Sequence, residues 1–161
     1  MSADGIAGSS KQLCTFYLDG LLFGVEVIRV QEVIRHQAMT PVPLAPSVVS
    51  GLINLRGQIV TALDLRRRLG LPPLPEGSLP MNVVVRHDEG AISLLVDEIG
   101  DVVDVDEASF EAPPEMLDPA VKGLISGVYK VHPQLLLVLN TDLAVRVDEI
   151  HSAEGSNHGQ R

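Results

Sequence analysis

Short runs that alternate between apolar and polar positions dominate the chain and predict strands. The first is Gln12–Leu18, which ends at Asp19-Gly20. Both turn residues accept positive φ, so a tight hairpin to a second strand, Leu21–Val27, is predicted, with Leu21, Phe23, Val25 and Val27 on one face. From Val27 the period lengthens. Val27, Val30 and Ile34 stand three and four apart, which fits one or two helical turns before Arg35. Pro41, Pro43 and Pro46 then exclude regular helix and predict an extended, edge-like stretch, with a short helical turn opening at Pro46-Ser47. Strands are predicted over Gly51–Leu55 and Gln58–Leu63 around the turn Arg56-Gly57. Asp64 is placed to cap a short helix, Leu65–Leu69, that Gly70 ends. Leu71–Pro80 holds Pro72, Pro73, Pro75, Gly77 and Pro80 and reads as a linker or long loop.

The second half follows the same plan. Met81–Arg86 and Ala91–Val96 are strands around a turn at Asp88-Glu89-Gly90. Val102–Asp106 alternates Val103 and Val105 with Asp104 and Asp106, so one of its faces is solvated. Ala112-Pro113-Pro114 interrupts the pattern, and Val121–Val131 and Gln134–Asn140 are the last strands. A short helix over Asp142–Glu149 and a polar tail after His151 complete the chain. Two echoes mark a repeat. Val49-Ser50-Gly51-Leu52-Ile53 resembles Val121-Lys122-Gly123-Leu124-Ile125, and Gln58–Asp64 resembles Gln134–Asn140, with four more residues between the blocks in the second copy. The chain therefore reads as all-β: two related units of about five short strands, each a barrel or sandwich, with short helices. The units span residues 12–70 and 81–145, with 1–11 and 151–161 as flexible tails. A unit of about 60 residues is marginal alone, so the two are expected to pack across an apolar seam.

Composition sharpens this picture. Apolar residues make up 45% of the 161 positions but aromatics only 3%, with no tryptophan. The core is therefore Val, Leu and Ile, whose branched side chains suit a pleated surface. No apolar run reaches the ~20 residues of a membrane helix, and Met1–Ser10 lacks the basic start and apolar stretch of a secretory signal. The single cysteine, Cys14, excludes an intramolecular disulfide. Together these features point to the cytosol. Cys14, inside Leu13–Leu18, reads as a small buried hydrophobe. The net charge of −9 is uneven: residues 1–80 carry 7 Lys/Arg against 6 Asp/Glu, and residues 81–161 carry 5 against 15. So acidic a second half argues against nucleic-acid binding, and the split predicts two surfaces of different character.

Motifs for catalysis are missing. There is no phosphate-binding glycine loop, dinucleotide fingerprint or nucleophile elbow. His36, His87, His132, His151 and His158 have no metal-ligand spacing with Cys14, so no metal or cofactor is expected. The first three fall at strand ends or turns and read as surface residues. The pairs Asp88-Glu89, Asp97-Glu98, Asp106-Glu107 and Asp148-Glu149 would point to opposite faces of a strand, so they read as solvated acids rather than dyads. Arg66-Arg67-Arg68 reads as the exposed end of a short helix, favoured by its dipole.

One segment stands apart. Gly51-Leu52-Ile53-Asn54-Leu55-Arg56-Gly57-Gln58-Ile59-Val60 is almost wholly apolar except for Asn54 and Arg56. An arginine in such a run either reaches solvent at a turn or meets a carboxylate, because a buried unpaired charge costs several kcal/mol. Glu32 is the expected partner. It lies in Val27–Val33, where Val27, Val30 and Val33 are expected at an exposed junction between elements. An apolar patch with a fixed Glu–Arg pair suits a protein-binding surface; an internal structural salt bridge fits the residue chemistry equally well.

The residues also carry a family likeness. Phe16-x-Leu18, Phe23-Gly24-Val25-Glu26-Val27, Val30-Gln31-Glu32-Val33-Ile34, Pro43, Gly51-Leu52-Ile53-Asn54-Leu55-Arg56-Gly57 and Asp64-Leu65-Arg66 together resemble the signature of CheW-type chemotaxis coupling proteins. Leu95-Val96-Asp97-Glu98-Ile99, Gly123-Leu124-Ile125 and Leu135–Leu139 extend the likeness through the second half, roughly from Leu13 to Val145. The resemblance implies two packed SH3-like five-stranded β-barrels, no catalysis and no cofactor. It implies binding both to the regulatory domain of the histidine kinase CheA and to the cytoplasmic tips of methyl-accepting chemoreceptors. Glu32 and Arg56 take the coupling positions. A groove between the barrels, lined by the helical turn holding Val27 and Val30, takes the receptor. Glu32–Ile34 and Gly51–Ile59, including Val33, Ile53, Asn54, Leu55, Gly57 and Ile59, form part of one kinase contact. The loop Phe110–Met116, with Phe110, Glu111 and Met116, forms a second, although Glu111 stands where the family sometimes has a basic residue.

The resulting expectation is a cytoplasmic adaptor associated with receptor arrays. A CheW-like scaffold of a non-flagellar pathway, serving surface motility or gene regulation, is the alternative. A small β-barrel enzyme or ligand-binding protein would need a deep pocket with convergent polar groups, and the sequence offers no candidates for them. A fragment of a kinase array would need a receiver or phosphotransfer helix, and none is predicted.

Overall fold

The structure is a computed structural model that describes residues 9–88 and 90–146. Ten strands run through these residues: β1 Ser10–Leu18, β2 Leu21–Glu26, β3 Val30–Ile34, β4 Val49–Leu55, β5 Gln58–Asp64, β6 Met81–His87, β7 Gly90–Val96, β8 Glu98–Asp106, β9 Ile125–Val131 and β10 Gln134–Leu139. Three single-turn helices accompany them, α1 Leu65–Arg68, α2 Pro119–Lys122 and α3 Thr141–Ala144, with 3-10 turns at Val27–Arg29 and Glu107–Ser109. Asp19 and Gly20 take positive φ and close the predicted hairpin. Asp64 caps α1, its side chain accepting from the Arg67 N–H, and Asn140 caps α3 by accepting from Leu143.

Three local expectations change. The spacing of Val27, Val30 and Ile34 gives one 3-10 turn followed by a strand, because β3 finds a ladder partner in β6. Val121–Val131 is not one strand: Asp118 caps a helical turn, Pro119 occupies its first position, and β9 begins only at Ile125. Ser10 and Lys11 are part of β1, not of a tail, since they pair with Asp106 and Val105. Helix α3 ends at Ala144; Asp148, Glu149 and the tail after His151 lie outside the described residues.

The strands form two five-stranded sheets, in the orders β8-β1-β2-β10-β9 and β3-β6-β7-β5-β4. β1 to β5 with α1 repeat as β6 to β10 with α3. Each sheet joins the first hairpin of one repeat to the last three strands of the other, so the sheets do not follow the expected division at 12–70 and 81–145. The parallel pairs β2/β10 and β5/β7 occupy matching places. The echo around Gly51 also shifts. Val48 accepts from the Asp64 N–H as Leu124 accepts from Asn140. The same spacing pairs Gly51 with Gly127 rather than with Gly123, and the four extra residues disappear.

Neither sheet closes into a barrel. β8 and β9 remain edges of the first sheet, β3 and β4 of the second. In each, the chain leaving one edge touches the other through a single bridge, Glu111 to Val128 and Thr40 to Leu52. Prolines follow directly, at Pro41 and at Pro113-Pro114, and their missing N–H groups prevent a longer ladder.

The main core lies between the sheets. Phe16, Leu18, Phe23 and Val25 from one meet Leu63, Val83, Val85, Leu94 and Val96 from the other, supplying the expected apolar seam. Two smaller clusters cover the opposite faces, one around Ile53, Val60 and Val84, the other around Leu13, Tyr129 and Leu136. The central strands are therefore buried on both faces, which explains continuous apolar runs such as Val83-Val84-Val85.

Candidate protein-binding surface

The hairpin between β4 and β5 delivers Arg56 to the surface. Arg56 and Gly57 both take positive φ, 54° and 86°, as a two-residue turn matched to strand twist requires. The Asn54 side-chain oxygen accepts from the Gly57 N–H at 2.9 Å and holds the turn. Arg56 leaves the tip with its side chain 74% exposed and its Nη1 donates to Glu32 Oε2 at 2.5 Å. Glu32 belongs to the less exposed set of β3 positions, with Val30 and Ile34, and its side chain is 17% exposed. A carboxylate so placed needs a cation. Because β3 and β4 are opposite edges of the sheet, the pair spans the gap that the ladder leaves open. The hydrogen bond to Glu32, and then its charge, hold the Arg56 guanidinium above its ordinary pKa. The expected pair is thus present, and its arginine faces solvent.

Val33 on β3 and Ile59 on β5 are exposed large apolar residues on the strands that carry this pair, and Asn54 and Gly57 are exposed beside Arg56. Ile53 and Leu55 are not part of the surface. Strand alternation turns them inward with Gly51, and they are buried against Val60, Ala62 and Val84. Val30 is half-buried and packs on the main core. Val27 lines a shallow groove with Gln12, Glu26 and Ile28. Ile28, 77% exposed, lies outside the expected set; a helical period passes over it, whereas the 3-10 turn presents it. Arg86 Nη1 fixes that turn by donating to the carbonyls of Ile28 and Val30 at 2.8 and 3.1 Å.

The second expected contact belongs to the other sheet. The Phe110 ring stands 5.2 Å from Tyr129, the Glu111 backbone forms the bridge to Val128, and the Glu111 carboxylate lies 3.6 Å from Lys130. Met116 is almost fully exposed. A cavity of about 520 Å³ that the sequence did not signal opens beside Phe110 and Tyr129. The charged side chains lining it are all engaged in ion pairs: Lys11 pairs with Glu26 at 2.8 Å and Glu107 at 3.6 Å, and Arg29 with Asp142 at 2.6 Å.

The run Arg66-Arg67-Arg68 is not a solvated helix end as a whole. Arg66 is buried and forms a two-point pair with Asp97, at 2.9 and 2.6 Å, while Nη1 donates to the Pro72 carbonyl. Asp97 also accepts from the Asp19 N–H at 2.8 Å, so it is no solvated acid. Burial would raise its carboxyl, but the hydrogen bonds from Arg66 and Asp19 and the Arg66 charge outweigh it, and the pKa lies below the ordinary value. Arg68 donates to the Leu143 and Ala144 carbonyls; only Arg67 is exposed. Burial pushes the Cys14 thiol up, in keeping with a packed hydrophobe. Of the histidines, His132 is exposed, whereas His87 and His36 are half-buried.

Comparison with known proteins agrees with this geometry. The sequence pattern of the CheW-like domain matches residues 12–149. The chain is 29% identical to the chemotaxis protein CheW of Treponema pallidum (strain Nichols), covering 80% of this chain and 78% of that protein. It is 26% identical to the chemotaxis protein CheW of Bacillus subtilis (strain 168), covering 90% and 93%. The crystal structure of the scaffolding protein TtCheW from Thermoanaerobacter tengcongensis superposes with a TM-score of 0.71 at 27% identity, over 80% of this chain and 88% of that one. With the family pattern running through nearly all of the described residues, the chain belongs to the CheW-like domain family.

Proposed function

We propose that the chain is a coupling adaptor of bacterial chemotaxis that binds a CheA-type histidine kinase and the cytoplasmic tips of methyl-accepting receptors, and works by binding alone. The supporting observation is the solvent-facing Arg56, anchored by Glu32 and carried on strands that also expose Val33 and Ile59. A charged anchor set among accessible apolar side chains is the composition of an interface centre. The chemotaxis names of relatives matched over most of both chains favour this reading over the non-flagellar alternative.

On this reading each sheet, with its bridging residue, is a strongly curled SH3-like unit, and the two units act as one domain. The kinase regulatory domain meets Glu32, Val33, Asn54, Arg56, Gly57 and Ile59, with Phe110, Glu111 and Met116 as a separate second contact. The receptor tip meets the groove lined by Val27 and Ile28, since Val30 turns to the core. The adaptor works on the cytoplasmic side of receptor arrays; among the described residues no helix is long and apolar enough to cross a membrane. It biases the kinase only as far as it contacts the kinase's states differently, and two modest interfaces gain strength when engaged together.

Reconstitution tests the reading: receptor cytoplasmic fragments and kinase are mixed with and without the chain, and autophosphorylation is followed. The chain should raise the receptor-dependent rate, and Arg56→Glu should remove the gain while the variant still folds, as followed by circular dichroism, with some stability lost because Glu32 is left beside a second carboxylate. A gain that survives Arg56→Glu would overturn the site; no gain with the parent chain would overturn the function.

A further inference from the structure

Four strands of the first sheet, β1, β2, β9 and β10, line the cavity of about 520 Å³ beside Phe110 and Tyr129. Its size falls in the range of small-molecule sites. It shares only Lys11 and Glu26 with the shallow groove beside Val27. Leu13, Val138 and Leu139 give it an apolar lining, and Phe110, 42% exposed, stands against Tyr129. The corresponding place in the other sheet is packed with aliphatic groups. Counted from Gly51 and Gly127, Ile53 matches Tyr129; counted from the bridging residues Thr40 and Glu111, Met39 matches Phe110. Met39 packs on the cluster of Ile53, Val60 and Val84. Tyrosine in place of isoleucine brings a hydroxyl that apolar packing does not use.

Two buried polar side chains line the cavity without a partner. Tyr129 is 4% exposed and Thr141 7%, yet neither hydroxyl has a hydrogen-bond partner among the described residues. Hydroxyls of residues so buried ordinarily have one. The charges lining the cavity are also unequal, with Glu26, Glu107 and Asp142 against Lys11 and Arg29. Two tight pairs, Lys11–Glu26 at 2.8 Å and Arg29–Asp142 at 2.6 Å, commit both cations. Glu107 only shares Lys11, at 3.6 Å and beyond hydrogen-bond reach. Its carboxylate is the charge left over.

We propose that this cavity binds a small organic cation, an ammonium head on an apolar or aromatic body. The head takes Glu107 as its counter-charge and the Tyr129 hydroxyl as an acceptor, and an ammonium offers three donors to such a set. The rings of Phe110 and Tyr129 favour a cation at their faces. The body covers the exposed part of Phe110 and rests on Leu13 and Val138. An anionic ligand would have to break one of the two tight pairs to find a cation, and a wholly apolar one would leave both hydroxyls and Glu107 unused.

Titration of the full chain with 2-phenylethylamine, protonated at neutral pH, tests this by backbone amide NMR. It uses the chain alone, so it reads the cavity independently of any kinase or receptor. The shifts should saturate as for a single site and centre on Phe110, Ser126, Tyr129 and Thr141. Glu107→Gln and Tyr129→Phe keep the shape of the lining and remove one polar contact each. Each should weaken binding about three- to fivefold while the rest of the spectrum stays as in the parent. 2-Phenylethanol and 3-phenylpropanoate, with the same body but no charge or the opposite one, should bind at least about fivefold more weakly. Shifts that do not saturate, or that fall elsewhere on the chain, would overturn the site. Equal binding of 3-phenylpropanoate, or an affinity unchanged in both variants, would overturn the choice of a cation.

Discussion

Arg66 and Asp142 hold the same place in the two repeats, the second residue of α1 and of α3, with opposite charges. Arg66, after β5, pairs with Asp97 just beyond β7; Asp142, after β10, pairs with Arg29 just beyond β2. In both sheets the tie joins the ends of the two parallel neighbours. The tie is kept while its polarity is reversed, and burial separates the two versions. Arg66→Ala strands a mostly buried carboxylate and should cost about 3 kcal/mol. Asp142→Ala removes an exposed partner and should cost about 0.5 kcal/mol. Urea unfolding of the two variants distinguishes them, and equal losses would contradict the burial argument.

Acid should loosen the fold through the same pairs. Asp142 is held below its ordinary pKa of 3.8 by the hydrogen bond from Arg29 and then its charge, and Asp97 is lowered by contacts that outweigh its burial. Unfolding returns both to the ordinary value, so the unfolded chain takes up protons first as pH falls. The stabilisation is complete well above 3.8 and is lost as pH drops through 3.8 and on through the native values. Melting temperature followed from about pH 7 to about pH 2.5 should fall on the acid side, less steeply for Asp97→Asn. A parent protein that gains stability below about pH 4 would reverse the sign.

The Glu32–Arg56 pair can serve recognition or only fold, and a charge exchange separates the two. Arg56→Glu alone should weaken kinase capture at least about tenfold, the size of one lost charged contact at an interface centre. The double variant Glu32→Arg/Arg56→Glu restores an ion pair but reverses the outward charge, so it should melt like the parent and still fail to capture the kinase. Restored capture in pull-downs with kinase fragments would assign the pair a structural role.

Gly51 and Gly127 occur where the bridging segments cross the edge strands. A Cβ at Gly51 would stand 2.7 Å from the Thr40 carbonyl oxygen, and one at Gly127 would stand 2.5 Å from that of Glu111 and against the Phe110 ring. These neighbours are backbone and a packed ring, which cannot give way cheaply. Gly51→Ala and Gly127→Ala should each lose about 1–3 kcal/mol by overpacking, read by chemical denaturation. In Gly127→Ala the Phe110 ring should also move from Tyr129, changing tyrosine fluorescence; unchanged stability and fluorescence would show that the bridge is loose.

What was legible in the chain was local. Asp19-Gly20 and Arg56-Gly57 announce hairpins through backbone preference, Asp64 announces a helix cap, and a lone arginine in an apolar run demands a partner that Glu32 supplies. The interleaving of the repeats was not legible, because β2 meets β10 and β5 meets β7 through pairings whose ends are far apart in the chain. Doubly buried strands carry no alternation that names a neighbour. The placing of Ile53 and Leu55 went astray for another reason. The family likeness grouped them with Arg56, while the period of two along β4 turns them to the inner face. Arg66 and Arg68 were misplaced because a three-residue basic run conceals which side chains turn back toward Asp97 and α3.

Leu44 is fully exposed and has a φ of 64°. It follows Pro43 in the turn Val42–Ala45, whose Ala45 N–H donates to the Val42 carbonyl at 3.3 Å. The third position of such a turn needs positive φ, which suits Gly or Asn. A leucine there carries left-handed strain of about 1–2 kcal/mol, and with its side chain in solvent no burial within the chain offsets it. Leu44→Asn keeps a side chain, and so adds little freedom to the unfolded chain, while tolerating the left-handed region. The variant should be about 0.5–1 kcal/mol more stable than the parent in urea unfolding. A loss of stability would mean that the leucine packs on its neighbours in solution and that the turn is not strained. A gain in stability accompanied by weaker capture of kinase or receptor fragments would show that the strained turn holds its apolar side chain out for a partner.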